Sequence, residues 1–254
     1  MSIFLNVFRS GAAVLALSLP MAATADSASV VLVHGAFSDG SAWNKVIPIL
    51  QDAGVSVSAA QLNLSSLDGD AATVTRLVDL QDGPVVLVGH SYGGNVITEA
   101  GTHDNVEHLV YVAGFALEAG QSLSDLTDGQ PAAPWQAEII PDADGYLRLT
   151  ATGISQFFAP DLSAEETALM AVTQGPIKYD TNYDAPTVAA WSTKPSSYVI
   201  AENDQIISPK VQGYFAKKMG AEVTAVSSSH VAMLAQPEAV AEVILKAVAA
   251  ASAD

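Results

Sequence analysis

The stretch from Pro84 to Gly94, Pro-Val-Val-Leu-Val-Gly-His-Ser-Tyr-Gly-Gly, constrains the fold more than any other part of the chain. Its apolar run, Val85 to Val88, reads as a strand buried on both faces. The run leads straight into Gly89-His90-Ser91-Tyr92-Gly93, and the residues from Asn95 to Ala100 suit a helix. Strand, Gly-x-Ser-x-Gly, helix demands a turn so sharp that Ser91 must adopt a strained backbone, with chain packed close on both sides. Only residues without a side chain fit at Gly89 and Gly93. Such a turn lifts the Ser91 hydroxyl to the C-terminal edge of a sheet, beside a helix N-terminus. There the backbone N–H of Tyr92 faces any anion that forms.

The flanking chain supplies the sheet this turn requires. Ser29–Val33 reads as the first strand, followed by a helix from about Trp43 to Asp52 and a second strand over Val55–Ala60. Asp68 or Asp70 is positioned to cap a helix from about Ala71 to Leu80. A fourth strand, His108–Ala113, follows the turn and its helix. This βαβα alternation predicts a parallel sheet with helices on both faces. The pattern then breaks. From Leu117 to Thr193 the chain is rich in Pro, Ala and Asp and shows no clear strand. Its one good helix is Asp161–Val172, with Ser163 as N-cap and Glu165 and Glu166 in the first turn. The segment, about 117–195, is expected to be a helical cap over the active edge of the sheet. Trp135, Phe157, Phe158 and Trp191 then line a pocket or form the cap's own small core. Strand logic resumes with Ser197–Ala201, a helix Ser208–Lys218, a strand Glu222–Val226 and a closing helix Pro237–Ala250.

Composition narrows the chemistry. The 254 residues suffice for one α/β domain with a large core. The absence of cysteine removes disulfides, thiolate catalysis and Cys-ligated zinc. A net charge of −17 repels nucleic acid and anionic membranes, and disfavours a uniformly anionic substrate. Arg9 is the one charged side chain in residues 1–25; an apolar run from Gly11 to Leu19, a break at Pro20 and the small residues Ala23-Thr24-Ala25 follow. This is the pattern of a secretory signal peptide cut after Ala25, too short to span a bilayer. The expectation is an exported protein, periplasmic or secreted. Its domain would occupy residues 26–254, with no stable membrane anchor after cleavage. Composition does not fix an oligomeric state, since the cap's apolar residues suit a pocket cover and a partner surface equally.

Sites in open α/β sheets form beyond the C-terminal ends of the strands. Four candidates fall there: the loop His34–Phe37, Ser91, Asp204 and His230. Ser91 is the candidate nucleophile, His230 the base that takes its proton, and Asp204 the carboxylate that fixes the His230 tautomer. The developing oxyanion needs two donors, for which the Ala36 and Tyr92 N–H groups are placed. Among the alternatives, His34 sits where it would brace the oxyanion loop. His90 lies inside the turn with its ring expected to face away from Ser91. His103 and His108 fall on the wrong edge of the sheet. Asp180 and Asp184 lie in the cap, and Glu202 neighbours Asp204. This chemistry requires no metal and no cofactor, and dinucleotide and P-loop motifs are absent.

Four segments carry a family resemblance: Val-Leu-Val-His-Gly-Ala (31–36), Leu-Val-Gly-His-Ser-Tyr-Gly-Gly (87–94), Glu-Asn-Asp-Gln-Ile (202–206) and His-Val-Ala-Met-Leu (230–234). They resemble the small α/β-hydrolases related to plant methyl-salicylate esterases and hydroxynitrile lyases, and bacterial esterases. The likeness spans about Ser29 to Ala250 and is weak in the cap. It implies a six-stranded parallel sheet without the first two antiparallel strands of larger relatives. It also implies Ser91, Asp204 and His230 as a triad, with Ala36 and Tyr92 as oxyanion donors. The lyases of that family need a threonine where this chain has Gly35 and a lysine where it has Val231, so cyanohydrin cleavage is disfavoured. Related dehalogenases and epoxide hydrolases use an aspartate where this chain has Ser91. The expected activity is hydrolysis of a small uncharged carboxylic ester through an acyl-enzyme. The alternatives are carbon–carbon cleavage on the same triad and a non-catalytic ligand-binding protein.

Overall fold

A computed structural model describes residues 27–252; the expected signal peptide lies outside the described residues. The first half alternates as the sequence predicts. In order it runs β1 (Ser29–Val33), α1 (Val46–Asp52), β2 (Val57–Ala59), α2 (Leu67–Val78), β3 (Val85–His90), α3 (Gly93–Ala100) and β4 (Val106–Val112). After the cap come β8 (Ser196–Ala201), α7 (Pro209–Met219), β9 (Glu222–Val226), α8 (Ala232–Ala235) and α9 (Pro237–Ala251). Six strands form one sheet in the order β2-β1-β3-β4-β8-β9, and every neighbouring pair is parallel. This is the α/β-hydrolase arrangement.

All residues of β1 and β3 are buried, as expected of central strands covered on both faces. Among the described residues, no helix is long and apolar enough to cross a membrane.

Two local expectations are corrected. Helix α2 starts a turn earlier than expected, because Ser66, not Asp68 or Asp70, is its N-cap; the Ser66 hydroxyl accepts from Gly69 N–H at 3.2 Å. Asp68 and Asp70 then fall in the first turn, where carboxylates still suit the helix dipole. The cap is not purely helical. It holds α4 (Leu123–Thr127), β5 (Ile139–Pro141), β6 (Tyr146–Leu149), a single turn α5 (Ala151–Gly153) continuing into a π-helix at Ile154–Phe158, then α6 (Ala164–Thr173) and β7 (Ile177–Lys178). Strands β5, β6 and β7 form a small antiparallel sheet. They escaped sequence reading because each is short and two-sided, with no alternating run long enough to set a period. Helix α6 keeps its predicted cap: Ser163 and Glu166 form a reciprocal capping box.

Candidate active site

The turn after β3 has the geometry its sequence demands. Ser91 has φ +53°, a left-handed conformation that a non-glycine residue rarely adopts. A Cβ added at Gly89 would lie 2.5 Å from the Gly93 carbonyl oxygen, and one at Gly93 would lie 2.6 Å from the Val33 oxygen. Both glycines are therefore obligatory, the first to close the turn and the second to seat it against the end of β1. The turn is locked by Gly94 N–H donating to Ser91 O at 2.9 Å and Phe115 N–H donating to the same oxygen at 3.0 Å.

Across the sheet edge, Asp204 follows β8 and His230 follows β9, the order in which the sequence supplies them. His230 Nδ1 and Asp204 Oδ2 lie 2.7 Å apart, and both side chains are fully buried. Asp204 accepts four hydrogen bonds. Its Oδ1 receives the N–H groups of Ile206 (2.7 Å) and Ile207 (3.1 Å), and its Oδ2 receives Gln212 Nε2–H (2.8 Å) and His230 Nδ1–H. These donors fix the carboxylate's orientation and aim its second oxygen at the imidazole. The bond to Nδ1 fixes the tautomer and leaves His230 Nε2 as the free base. That nitrogen is buried and has no hydrogen-bond partner among the described residues. No hydrogen bond joins it to Ser91.

The loop after β1 is braced by His34, as the sequence suggests. Leu62 N–H donates to His34 Nε2 at 3.1 Å, so the proton sits on Nδ1, which donates to Gly35 O at 2.9 Å. Burial pushes the His34 pKa down, keeping the ring neutral. Phe37, one residue beyond Ala36, has φ +56°, which turns this loop sharply. Neither Ala36 N–H nor Tyr92 N–H donates to another described group, so both are free for a ligand oxygen. The Tyr92 phenol points the other way and donates to the buried Asp70 carboxylate at 3.0 Å, which also accepts from Asn63 and Leu64 N–H. Burial raises the pKa of both the Asp70 carboxyl and the Tyr92 phenol.

The other candidates have structural duties. His103 meets Asp79 and His108 meets Ser197, both away from Ser91. Asp184 accepts from Leu67 N–H at 2.8 Å and so ties the cap to the start of α2. His90 is closer to the chemistry than its place in the motif suggests. Its ring packs 4.6 Å from that of His230, and its Nε2–H donates to the His230 carbonyl at 2.9 Å. Burial holds the His90 pKa well below the usual imidazole value, and its Nδ1 is left buried without a partner.

The cap closes the site. Phe158, at the end of the π-helix, sets its ring edge-on to His230 at 5.0 Å and lies 6.5 Å from Phe37. Ser91 is 5% exposed and His230 is not exposed at all. A cavity of about 170 Å³ lies beside this seal, between α6 and residues 37–45, with Phe37, Met170 and Leu234 among its walls; Ser91 and His230 do not line it. Sequence reasoning did not single out Gln212 or Asp161. A glutamine in an amphipathic helix and an aspartate before a helix N-cap carry no distinguishing pattern.

Residues 30–243 match a family described as the alpha/beta hydrolase family. A pyrethroid hydrolase from Sphingobium wenxiniae is 26% identical over 241 residues, covering 85% of this chain and 85% of that protein. Methylesterase 1 from Arabidopsis thaliana is 30% identical over 152 residues, 52% of this chain and 56% of its own. The crystal structure of polyneuridine aldehyde esterase superposes with a TM-score of 0.76 at 20% identity, covering 87% of this chain and 98% of that one.

Proposed function

The chain belongs to the alpha/beta hydrolase family, and from that premise we propose that it is a serine esterase acting on small uncharged carboxylic esters. Ser91 attacks the ester carbonyl carbon while His230 Nε2 takes its proton. The tetrahedral oxyanion is held by the N–H groups of Ala36 and Tyr92. Its collapse breaks the bond to the alcohol oxygen, which leaves with the proton from His230, and an acyl-Ser91 ester remains. Water then attacks that ester, giving its proton to His230. The second collapse returns the proton to Ser91 Oγ and releases the acid.

The observation that carries this reading is the fully buried His230–Asp204 pair, 2.7 Å apart, whose Nε2 is left without a partner. The apolar ring of Phe158 over the site and the net charge of −17 favour a neutral substrate. Carbon–carbon cleavage in the manner of the lyases gains no support. A Cβ at Gly35 would fall 2.6 Å from Ser91 Cβ, which leaves no room for their threonine, and Val231 is an apolar residue with no solvent exposure.

Hydrolysis of a p-nitrophenyl ester series by the wild type and Ser91→Ala tests the proposal, together with labelling by a fluorophosphonate. A wild type that is labelled on Ser91, and a loss of about three or more orders of magnitude in the variant, is the expected result. A wild type inert to every ester and to the label would overturn it. We also propose export by cleavage after Ala25, read by the mass of the mature N-terminus; an intact Met1 in the exported fraction, or no exported fraction, contradicts it.

A further inference from the structure

We propose that Asp161, on the cap, is a positioning residue for His230. Asp161 Oδ2 accepts Ser229 N–H at 2.6 Å and Asp161 Oδ1 accepts the Ser229 hydroxyl at 2.5 Å. Ser229 directly precedes His230 and is 1% exposed. A carboxylate that takes both donors of one residue fixes the orientation of its peptide plane as well as its place, in the manner of a two-point clamp. The peptide so fixed is that between Ser228 and Ser229, and with the Ser229 hydroxyl also held the whole residue that leads into His230 is placed.

Three features separate this contact from an ordinary cap-to-core tie. The rest of the loop is held from within the core: Asn203 N–H donates to Ser228 O at 3.0 Å, and His90 Nε2–H donates to His230 O at 2.9 Å. Ser229 is thus the one link in 228–230 whose polar hold comes from the cap. Asp161 also lies three residues after Phe158, whose ring faces His230 at 5.0 Å. A single short segment therefore holds the histidine at its ring and the residue before it at its N–H and hydroxyl. That segment is a π-helix running into a turn, a rare conformation that recurs at functional positions. Finally, no described residue hydrogen-bonds His230 Nε2. Asp204 fixes the other nitrogen, and Phe158 and His90 pack against the ring at 5.0 and 4.6 Å. The clamp on Ser229 adds the backbone side of that hold, so that Nε2 meets the Ser91 hydroxyl when substrate enters.

The inference rests on the serine-esterase reading for its kinetic consequences, and its test includes a measurement that does not. Asp161→Ala, Asp161→Asn and Ser229→Ala are compared with the wild type. Asparagine keeps an acceptor for Ser229 N–H and offers its amide to the Ser229 oxygen, so it preserves the clamp without the charge. The expected pattern is a fall in kcat and in the fluorophosphonate labelling rate of about ten- to a hundred-fold for Asp161→Ala, the loss a misplacement of up to 1 Å brings. KM should stay within about twofold, and Asp161→Asn should restore most of the loss. The second readout is the low-field proton resonance of His230 Nδ1–H, which reports the ring's geometry whether or not any ester is cleaved. It should shift or broaden in Asp161→Ala and return in Asp161→Asn. An unchanged resonance with unchanged kcat in Asp161→Ala overturns the proposal, as does a loss confined to KM. If the wild type fails to label while the resonance still responds to Asp161, the esterase reading fails and the positioning role stands.

Discussion

Replacing Gly89 with alanine tests whether the turn's shape, and not merely its serine, makes the site. The added methyl carbon would lie 2.5 Å from Gly93 O, 2.7 Å from Gly93 C and 2.9 Å from Gly94 N, all backbone atoms with no rotamer to escape into. Ordinary contact begins at 3.4 Å, so relief requires the two arms of the turn to part by about 0.9 Å at the closest point. Ser91 and the Tyr92 N–H lie between those arms and must move with them. A misplacement near 1 Å costs about a hundred-fold in rate, or about 2.7 kcal/mol in the barrier. Overpacking also costs about 1–3 kcal/mol of stability, so a control of similar destabilisation is needed. Gly54→Ala supplies it: φ is +81° there, nothing lies within 4 Å of the added carbon, and the left-handed strain costs about 1–2 kcal/mol. The assay is the second-order rate of fluorophosphonate labelling, read beside the thermal midpoint. Gly89→Ala should lose about a hundred-fold in labelling and Gly54→Ala almost none, while both melt a few degrees lower. A Gly89→Ala protein that labels at the wild-type rate, or a Gly54→Ala protein that loses as much, would refute the argument from geometry.

Three further outcomes follow from buried groups near the site. His34 and His90 have folded pKa values below the ordinary 6.5, so below that pH the unfolded chain binds more protons. Their stability contribution is thus lost as pH falls from 6.5 towards the depressed values. Asp70, raised above 3.8, acts in the opposite sense from that pH upward. The thermal midpoint should fall from pH 7.5 to pH 5, and His90→Gln should flatten that slope. Gln212→Leu removes a donor from Asp204 and from Ile207 O and orphans Ala201 N–H; it should cost at least about 1–3 kcal/mol in chemical denaturation and lower kcat more than it raises KM. Phe158→Ala should cost about 3–5 kcal/mol and, by uncovering His230, raise labelling by a bulky fluorophosphonate relative to a small one.

The placement of Ser91, Asp204 and His230 at one sheet edge was legible in the sequence because each is tied to a strand end by a short turn. The Gly-x-Ser-x-Gly spacing permits only one backbone path between β3 and α3, and Asp204 and His230 each follow an apolar run of β period. Where local chemistry sets structure, sequence is enough. The cap is different. Strands β5, β6 and β7 owe their pairing to one another and to the surface they cover, and their two to four residues carry no pattern by themselves. The first turn of α2 was misplaced for a related reason. Asp70 looks like a cap in sequence, yet its carboxylate is drawn inward to satisfy Asn63, Leu64 and Tyr92. A tertiary demand for a buried acceptor overrode a local preference. Asp161 and Gln212 escaped notice because their roles lie in distant partners, 68 and 8 residues away along the chain.

The cap is held unequally around the rim of the candidate site. On the His230 side the cap is held by the Asp161 clamp and by Phe158, which is 1% exposed. Freeing that side would break two hydrogen bonds to a carboxylate and expose a large ring. On the α3 side, Glu99 takes both the N–H and the hydroxyl of Thr187. On the α6 side Gly175 N–H donates to Ser38 O at 3.2 Å. Lys45 and Glu166 pair at 2.7 Å, but their side chains are 43% and 37% exposed, and such pairs are worth about 0–1 kcal/mol. The Glu166 carboxyl, brought down to about 2 by Lys45 and Ser163, stays ionised through the working range, so acidification to pH 5 does not release it. Beneath this pair lies the cavity walled by Phe37, Met170 and Leu234, already open to a small apolar group. The ring of Phe37, which follows Ala36, forms part of its wall. The existing cavity and the solvent-exposed ion pair thus lie together beside the loop after β1, on the other side of the site from the contact between Asp161 and Ser229.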